Sequence, residues 1–363
     1  MRAVFSRAEP GDIGEISSLA DRVFRSHRPG HMAEEFPHLY HPDNAAHWFI
    51  AREAGSIVAI VGAVVGPVAL SGALTRAACL GSVATVLEFR GQGLASQLLG
   101  FAQAALREES VRLITISGDQ ELYRRFGARP VGRIDWVALP ADLGPPWRYR
   151  TSPIDPDHDA ATVARLYQSR PTRFIRDLEL LKVLLRSQPM TGVEQGEKIA
   201  RLVSDDTGPV CYFILNHRPF GGRRASRLSE WGGDPQALLA GLAQVSSPSE
   251  TLIEIPLEAD DWALRGALRG AAFMRCGPAA WLQKIIDGPG LLGDLALLWG
   301  ERSGKSPRLV ADTDDRFQLW FGPHRWAVDM ATLTEWVFGM TAPPELECLW
   351  PIPALWPEGL NYV

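Results

Sequence analysis

The chain has 363 residues, 46% hydrophobic and 22% charged, with a formal net charge of -5. That balance fits a globular protein of two or three domains and excludes both a disordered chain and a basic nucleic-acid binder. Cys79, Cys211, Cys276 and Cys348 stand far apart with no CxxC pair, so a disulfide-built secreted scaffold is excluded and reduced thiols in a cytoplasmic protein are expected.

In chain order, the opening MRAVFSRAEPGD lacks the apolar run of a signal peptide, and Asp12, Ile16 and Leu19 after Pro10 predict a helix near its start. The segment SHRPGHMAEEFPHLYHPDNAAHW gathers His27, His31, His38, His41 and His47. Its proline and glycine content reads as loop, no cysteine joins the histidines, and Glu34 and Glu35 lack a regular ligand frame, so no metal is expected. WFIAREAGSIVAIVGAVV reads as two apolar strands joined by a turn, and IVAIVGAVVGPVAL is too short to span a bilayer, so no membrane partner is expected. AACLGSVATV, Ala77 to Val86, is the next strand.

The stretch LEFRGQGLASQLLG follows, Leu87 to Gly100. Gly91 and Gly93 permit positive φ and close approach of a ligand to the backbone. Leu94, Ala95, Leu98, Leu99, Ala102, Ala105 and Leu106 then fall on one helix face, so a helix begins near Gly93 with free amides and the positive end of its dipole turned to the glycines. Such a turn suits a phosphate. It is not a P-loop, because Gly93-Leu94-Ala95 lacks the Lys-Ser/Thr pair, and it is a poor dinucleotide fingerprint, because Asp119 lies too far downstream. Arg90-Gly91-Gln92-Gly93-Leu94-Ala95 fits the acetyl-coenzyme A loop Gln/Arg-x-x-Gly-x-Gly/Ala at every fixed position.

VRLITISGD, Val111 to Asp119, is a second buried strand, followed by QELYRRFGARPVG with Tyr123-Arg124-Arg125-Phe126-Gly127. In the order strand, loop, helix, strand and short helix ending in Tyr-x-x-x-Gly, the sequence resembles the GNAT acetyltransferase superfamily. The resemblance implies an α/β chain with the α+β GNAT fold, mixed central sheets flanked by helices, and acetyl-CoA as co-substrate. It places the cofactor on Val83, Ala84 and Thr85, on the loop residues Gly91, Gln92, Gly93, Leu94, Ala95 and Ser96, and at Gly118 and Asp119.

Beyond LPADLGPPWRYRTSPIDPD, which reads as a linker, the pattern repeats. Asp159, Val163 and Leu166 echo Asp12, Ile16 and Leu19. IARLVSDDTGPVCYFIL echoes the first hairpin, and TLIEIPLEADDWALRGALRGAAF repeats a strand followed by a helix. LSEWGGDPQALLAGL stands where the phosphate loop would be, without its motif and with Asp234 at the helix start, where a carboxylate repels a pyrophosphate. From Trp281 come a helix in LLGDLALLWGE, strands in FQLWFG and RWAVDM, a helix in TLTEWVFGM, and an apolar tail, ELECLWPIPALWPEGLNYV, expected to dock on the body.

This layout resembles the Eis-like subfamily of GNAT proteins, with a catalytic domain at 1–140, a degenerate copy at 141–280, and a small α+β sterol-carrier-like domain with an active-site-reaching tail at 281–363. The resemblance implies Tyr123 as the acid that protonates the leaving thiolate, the terminal carboxylate of Val363 as base, and Phe36, His38 and Tyr40 at the acceptor. At Val363 the match is positional rather than chemical. Glu34, Glu35 and Glu88 are alternative bases. The expected activity is acetyl transfer to a primary amine, either a small amine or a lysine-bearing acceptor, with homo-oligomerisation left open. The competing reading is a non-catalytic acyl-CoA-binding or assembly module.

Overall fold

The computed structural model describes residues 3–26, 32–118, 121–139, 148–187, 197–220, 223–245, 250–258, 261–268, 272–278, 281–312, 316–339 and 341–363. Its contacts divide into two compact units: Met1–Gly132 with Ala279–Pro357 and Val363, and Arg133–Pro278 with Glu358–Tyr362. The strands are, in order, β1 (Val4–Arg7), β2 (Trp48–Glu53), β3 (Ser56–Leu70), β4 (Ala73–Thr85), β5 (Leu113–Ile116), β6 (Arg129–Pro130) and β7 (Arg133–Leu139). There follow β8 (Arg150–Pro153), β9 (Arg173–Phe174), β10 (Glu197–Asp205), β11 (Gly208–Phe220), β12 (Arg223–Gly233), β13 (Glu250–Glu258) and β14 (Ala272–Pro278). The last are β15 (Leu282–Ile285), β16 (Arg308–Ala311), β17 (Phe317–Phe321) and β18 (His324–Val328).

In the first unit the sheet runs β1-β2-β3-β4-β5-β15-β6, with β4 and β5 parallel. The hairpins turn on Ala54-Gly55 and Ser71-Gly72, both residues of each at positive φ, as two-residue turns that match the strand twist require. The helix Leu94–Glu108 lays Leu94, Leu98, Leu99, Ala102, Ala105 and Leu106 against Ala78, Leu80, Ile114 and Ile116. Each buried leucine contributes about 1.5–3 kcal/mol, and Leu98→Ala would cost about 2–5 kcal/mol through the cavity it leaves.

Two features of β4 prepare a site. Its parallel pairing with β5 ends at Leu80 with Ile116, after which the two strands part. On the other side Gly62 pairs with Gly81 and Ile60 with Ala84, so Ser82 and Val83 together face Val61 alone. That is a β-bulge, and Ser82 carries it at φ +51°.

The second unit repeats this plan in the order β14-β7-β13-β12-β11-β10-β8. Its parallel pair is β12 with β13, ending at Arg227 with Glu254. Leu215 pairs with Leu228 and Ile214 with Glu230, leaving Ser229 as the extra residue. A bulge thus follows the last parallel pair by the same interval in both sheets, which is the internal repeat expressed as backbone geometry.

Strand β7, counted by sequence with segment 1–140, lies in the second sheet between β14 and β13, and β15 lies in the first sheet between β5 and β6. A strand's alternation reveals its faces but not its neighbours, so this exchange leaves no local mark in the sequence. The expected linker contains β8 and ends in a helix, Pro156–Tyr167, capped by Asp155.

The helix expected in LLGDLALLWGE is two helices, Gly288–Asp294 and Ala296–Ser303, meeting at Leu295 where φ and ψ leave the helical region. Arg112 joins the first of them to β5, pairing with Asp287 and, at 3.2 Å, with Asp294. A three-stranded sheet, β16-β17-β18, and a helix, Met330–Phe338, complete this part. The apolar tail docks as expected: Leu346, Leu349, Trp350, Ile352 and Leu355 are buried, and the Ile352 amide donates to the Val337 carbonyl at 2.8 Å. Among the described residues no helix is long and apolar enough to cross a membrane.

Candidate active site

The loop between β4 and the helix Leu94–Glu108 has the backbone its glycines allow: Gly91 at φ +76°, and Gly93, the helix N-cap, at φ +75°. The Arg90 Nε donates to the Thr85 carbonyl at 3.1 Å, tying the loop to the end of β4. A side chain at Gly91 would meet nothing within 4 Å, so the backbone there is open to a ligand. Beside it lies a cavity of about 530 Å³, walled by Val83, Ala84 and Thr85 of β4 and by Gly91, Gly93, Leu94, Ala95 and Ser96.

Of the expected cofactor residues, Gln92 does not line this cavity, Gly118 lies at the end of β5, and Asp119 falls outside the described residues. Val23, Phe24, Phe89, Arg90, Leu122 and Arg125 line it as well. Arg125 and Leu122 come from the helix Glu121–Arg125, flanking Tyr123, and no motif marks them. Arg90 and Arg125 add two cations to the positive helix end, and no carboxylate is among the lining residues. A phosphate-bearing, partly apolar ligand of the size of a coenzyme A head and arm fits this chemistry.

Where β4 and β5 part, Val363 lies between them. The Ser117 hydroxyl donates to a carboxyl oxygen of Val363 at 2.9 Å. A Cβ at Gly81 would stand 2.5 Å from the Val363 carboxyl carbon, so only glycine admits that residue. Val363 is 7% exposed. Tyr123 is buried at the same strand end, its ring 3.3 Å from the Cβ position of Gly118. The acid and base candidates, 240 residues apart in sequence, thus flank the dipeptide Ser117-Gly118.

Phe36, His38 and Tyr40 are all buried and do not line the cavity. The Tyr40 hydroxyl donates to Ser82 Oγ at 2.9 Å, and burial raises the phenol's pKa above its ordinary value. Glu35 makes a buried ion pair with Arg25 at 2.6 Å, while Glu88 is exposed beside the loop. His27 and His31 lie outside the described residues; His41 is exposed next to Asp43, and His47 contacts Asn44 and Glu109. Among the described residues no three potential ligands group as a metal site.

In the second unit only Asp234 separates β12 from the helix Pro235–Val245, and its carboxylate accepts from the Ala237 amide at 2.7 Å. A carboxylate so placed takes up one of the free amides at the helix start.

A parallel pair that splays beside a bulged strand, with a glycine loop opening the next helix, is the arrangement of the GNAT fold. Residues 5–131 match the family model described as "Acetyltransferase (GNAT) domain". No curated protein matches the chain. A GCN5-related N-acetyltransferase from Anabaena variabilis is similar in structure, with TM-score 0.64 and 13% identity over 90% of this chain and 85% of that one. A conserved protein of unknown function from Enterococcus faecalis, described as a probable N-acyltransferase, gives 0.65 and 13% over 91% and 86%. Eis1 from Mycobacterium abscessus gives 0.63 and 12% over 92% and 88%. At such identities the likeness is one of fold.

Proposed function

We propose that the protein is an acetyl-CoA-dependent N-acetyltransferase of Eis-like organisation, acting on a primary amine in a ternary complex. Its segments are a catalytic domain at 1–140, a degenerate copy at 141–280 and a small C-terminal domain at 281–363. The observation that carries the reading is the cavity between the glycine loop and the bulged end of β4, with Val363 and Tyr123 at the adjoining ends of β4 and β5.

Bound there, acetyl-CoA supplies an activated thioester. The loop amides at Gly91 to Ser96, with Arg90 and Arg125, hold its phosphates. Backbone donors of Val83 and Ala84 take the charge that develops on the carbonyl oxygen. The Val363 carboxylate, oriented by Ser117, receives a proton from the acceptor ammonium, and Tyr123 gives one to the departing thiolate. Phe36, His38 and Tyr40 belong to the element that shapes the acceptor side.

The test is release of free CoA with a panel of small amines and lysine peptides. Amine-dependent release supports the reading. Acetyl-CoA binding without release from any amine would make the chain an acyl-CoA-binding module.

A further inference from the structure

Ser82 stands apart among the residues of β4. The described non-glycine residues at positive φ are Ala54, Ser71, Ser82 and Ser110, and the first two form hairpin turns while Ser110 follows a helix. Only Ser82 holds the left-handed conformation inside a strand. For a residue with a side chain that conformation is strained, and it persists where its surroundings impose it.

The surroundings are specific. On one side of Ser82, Gly81 abuts the Val363 carboxyl group; on the other, Val83 and Ala84 form the cavity wall. Ser82 itself turns its hydroxyl to Tyr40. Tyr40 is held in turn: its ring lies 4.9 Å from that of Trp48, whose Nε1 donates to the Leu39 carbonyl at 2.9 Å. A side chain at Gly62 would strike Trp48, so that ring is packed against β3 without slack. Tyr40 is 4% exposed, and its phenol is spent on Ser82 rather than offered to a ligand.

We infer that Tyr40 is a positioning residue for acyl transfer: its hydrogen bond to Ser82 Oγ locks the left-handed bulge of β4 and thereby fixes Val83 at the wall of the cofactor cavity. The inference rests on the transferase reading for its catalytic consequence and on geometry alone for the lock. Val83 has no opposite number in the β3 ladder, so the tie at Ser82 restrains a backbone that sheet pairing does not. A displacement of about an ångström at such a wall is enough to lower turnover by roughly 10²-fold.

The experiment is a double-mutant cycle of Tyr40→Phe and Ser82→Gly, read by kcat, by KM for acetyl-CoA and by amide hydrogen exchange across residues 81–86. Tyr40→Phe should lower kcat by about tenfold or more, leave KM for acetyl-CoA within about twofold, and speed exchange in the bulge. In the Ser82→Gly background the same change should have almost no effect, because glycine accepts the backbone and the hydroxyl partner is gone. An equal loss of kcat in both backgrounds overturns the inference and puts Tyr40 on the acceptor itself. Unchanged exchange in Tyr40→Phe overturns the lock whatever the activity. Faster exchange with undiminished turnover overturns its catalytic consequence. A parent that releases no CoA with any amine sinks the transferase reading and that consequence together, while exchange still decides the lock.

Discussion

The Ser117 hydroxyl and the carboxyl group of Val363 meet at 2.9 Å where β4 and β5 part, and Gly81 leaves the room that Val363 fills. Val363 is thus held between β4 and the residue that follows β5. Gly81→Val would place carbon atoms in the volume of that carboxyl group and displace it. Turnover is expected to fall by roughly 10²-fold while acetyl-CoA affinity, measured by calorimetry, stays near the parent's. Amidating Val363 alone should reproduce most of the loss. A fully active amidated protein would move the base to an internal side chain or to water.

In the wall of the cavity, Gly93 combines positive φ with the helix N-terminus. Gly93→Asp puts a like charge where phosphate is proposed to bind and strains the backbone at once. The dissociation constant for acetyl-CoA should rise by at least about tenfold, equivalent to 1.4 kcal/mol. Binding as tight as the parent's would place the cofactor elsewhere.

Tyr123 tests the acid. Tyr123→Phe keeps the ring that packs on Gly118 and removes only the hydroxyl. Its kcat should drop by roughly 10²-fold with little change in CoA affinity. An unaltered kcat with chemistry rate-limiting would remove Tyr123 from the mechanism.

The backbone of the glycine loop is legible in the sequence because it is local. A run of residues from Arg90 to Leu106 carries both the glycines that set the turn and the apolar spacing that sets the helix. The repeat was legible too, as a second hairpin and a second strand with its helix. What the sequence withheld is long-range. Nothing near Ser82 announces a bulge tied to Tyr40, since a bulge is defined by register with β3. The exchange of β7 and β15 between sheets is a matter of neighbours, on which hydrophobic pattern is silent. Phe36, His38 and Tyr40 read as loop residues near an acceptor, whereas Trp48 and the Arg25–Glu35 pair draw that segment into the interior.

The second unit offers the last prediction. Arg176 grips Glu230 with both nitrogens of its fork, at 2.8 and 2.7 Å, and both side chains are buried. Glu230 also accepts from the Tyr212 hydroxyl at 2.8 Å and the Leu360 amide at 3.0 Å, while Arg176 Nε donates to Asn361 at 2.6 Å. Burial alone would raise the Glu230 carboxyl's pKa. The Arg176 guanidinium and the donors from Leu360 and Tyr212 outweigh it and hold the pKa below the ordinary value. A carboxyl depressed in the folded state contributes stability that is complete above its unfolded pKa and is lost as pH falls through the folded one. Glu230→Gln leaves Arg176 charged and unpaired in the interior, at a cost of about 3–5 kcal/mol near neutrality. In urea unfolding, the gap between parent and variant should therefore be widest at pH 7, begin to narrow below about pH 4.3, and shrink further with acid. A gap that stays constant down to pH 3 would show that Glu230 is not the group whose ionisation holds this pair together.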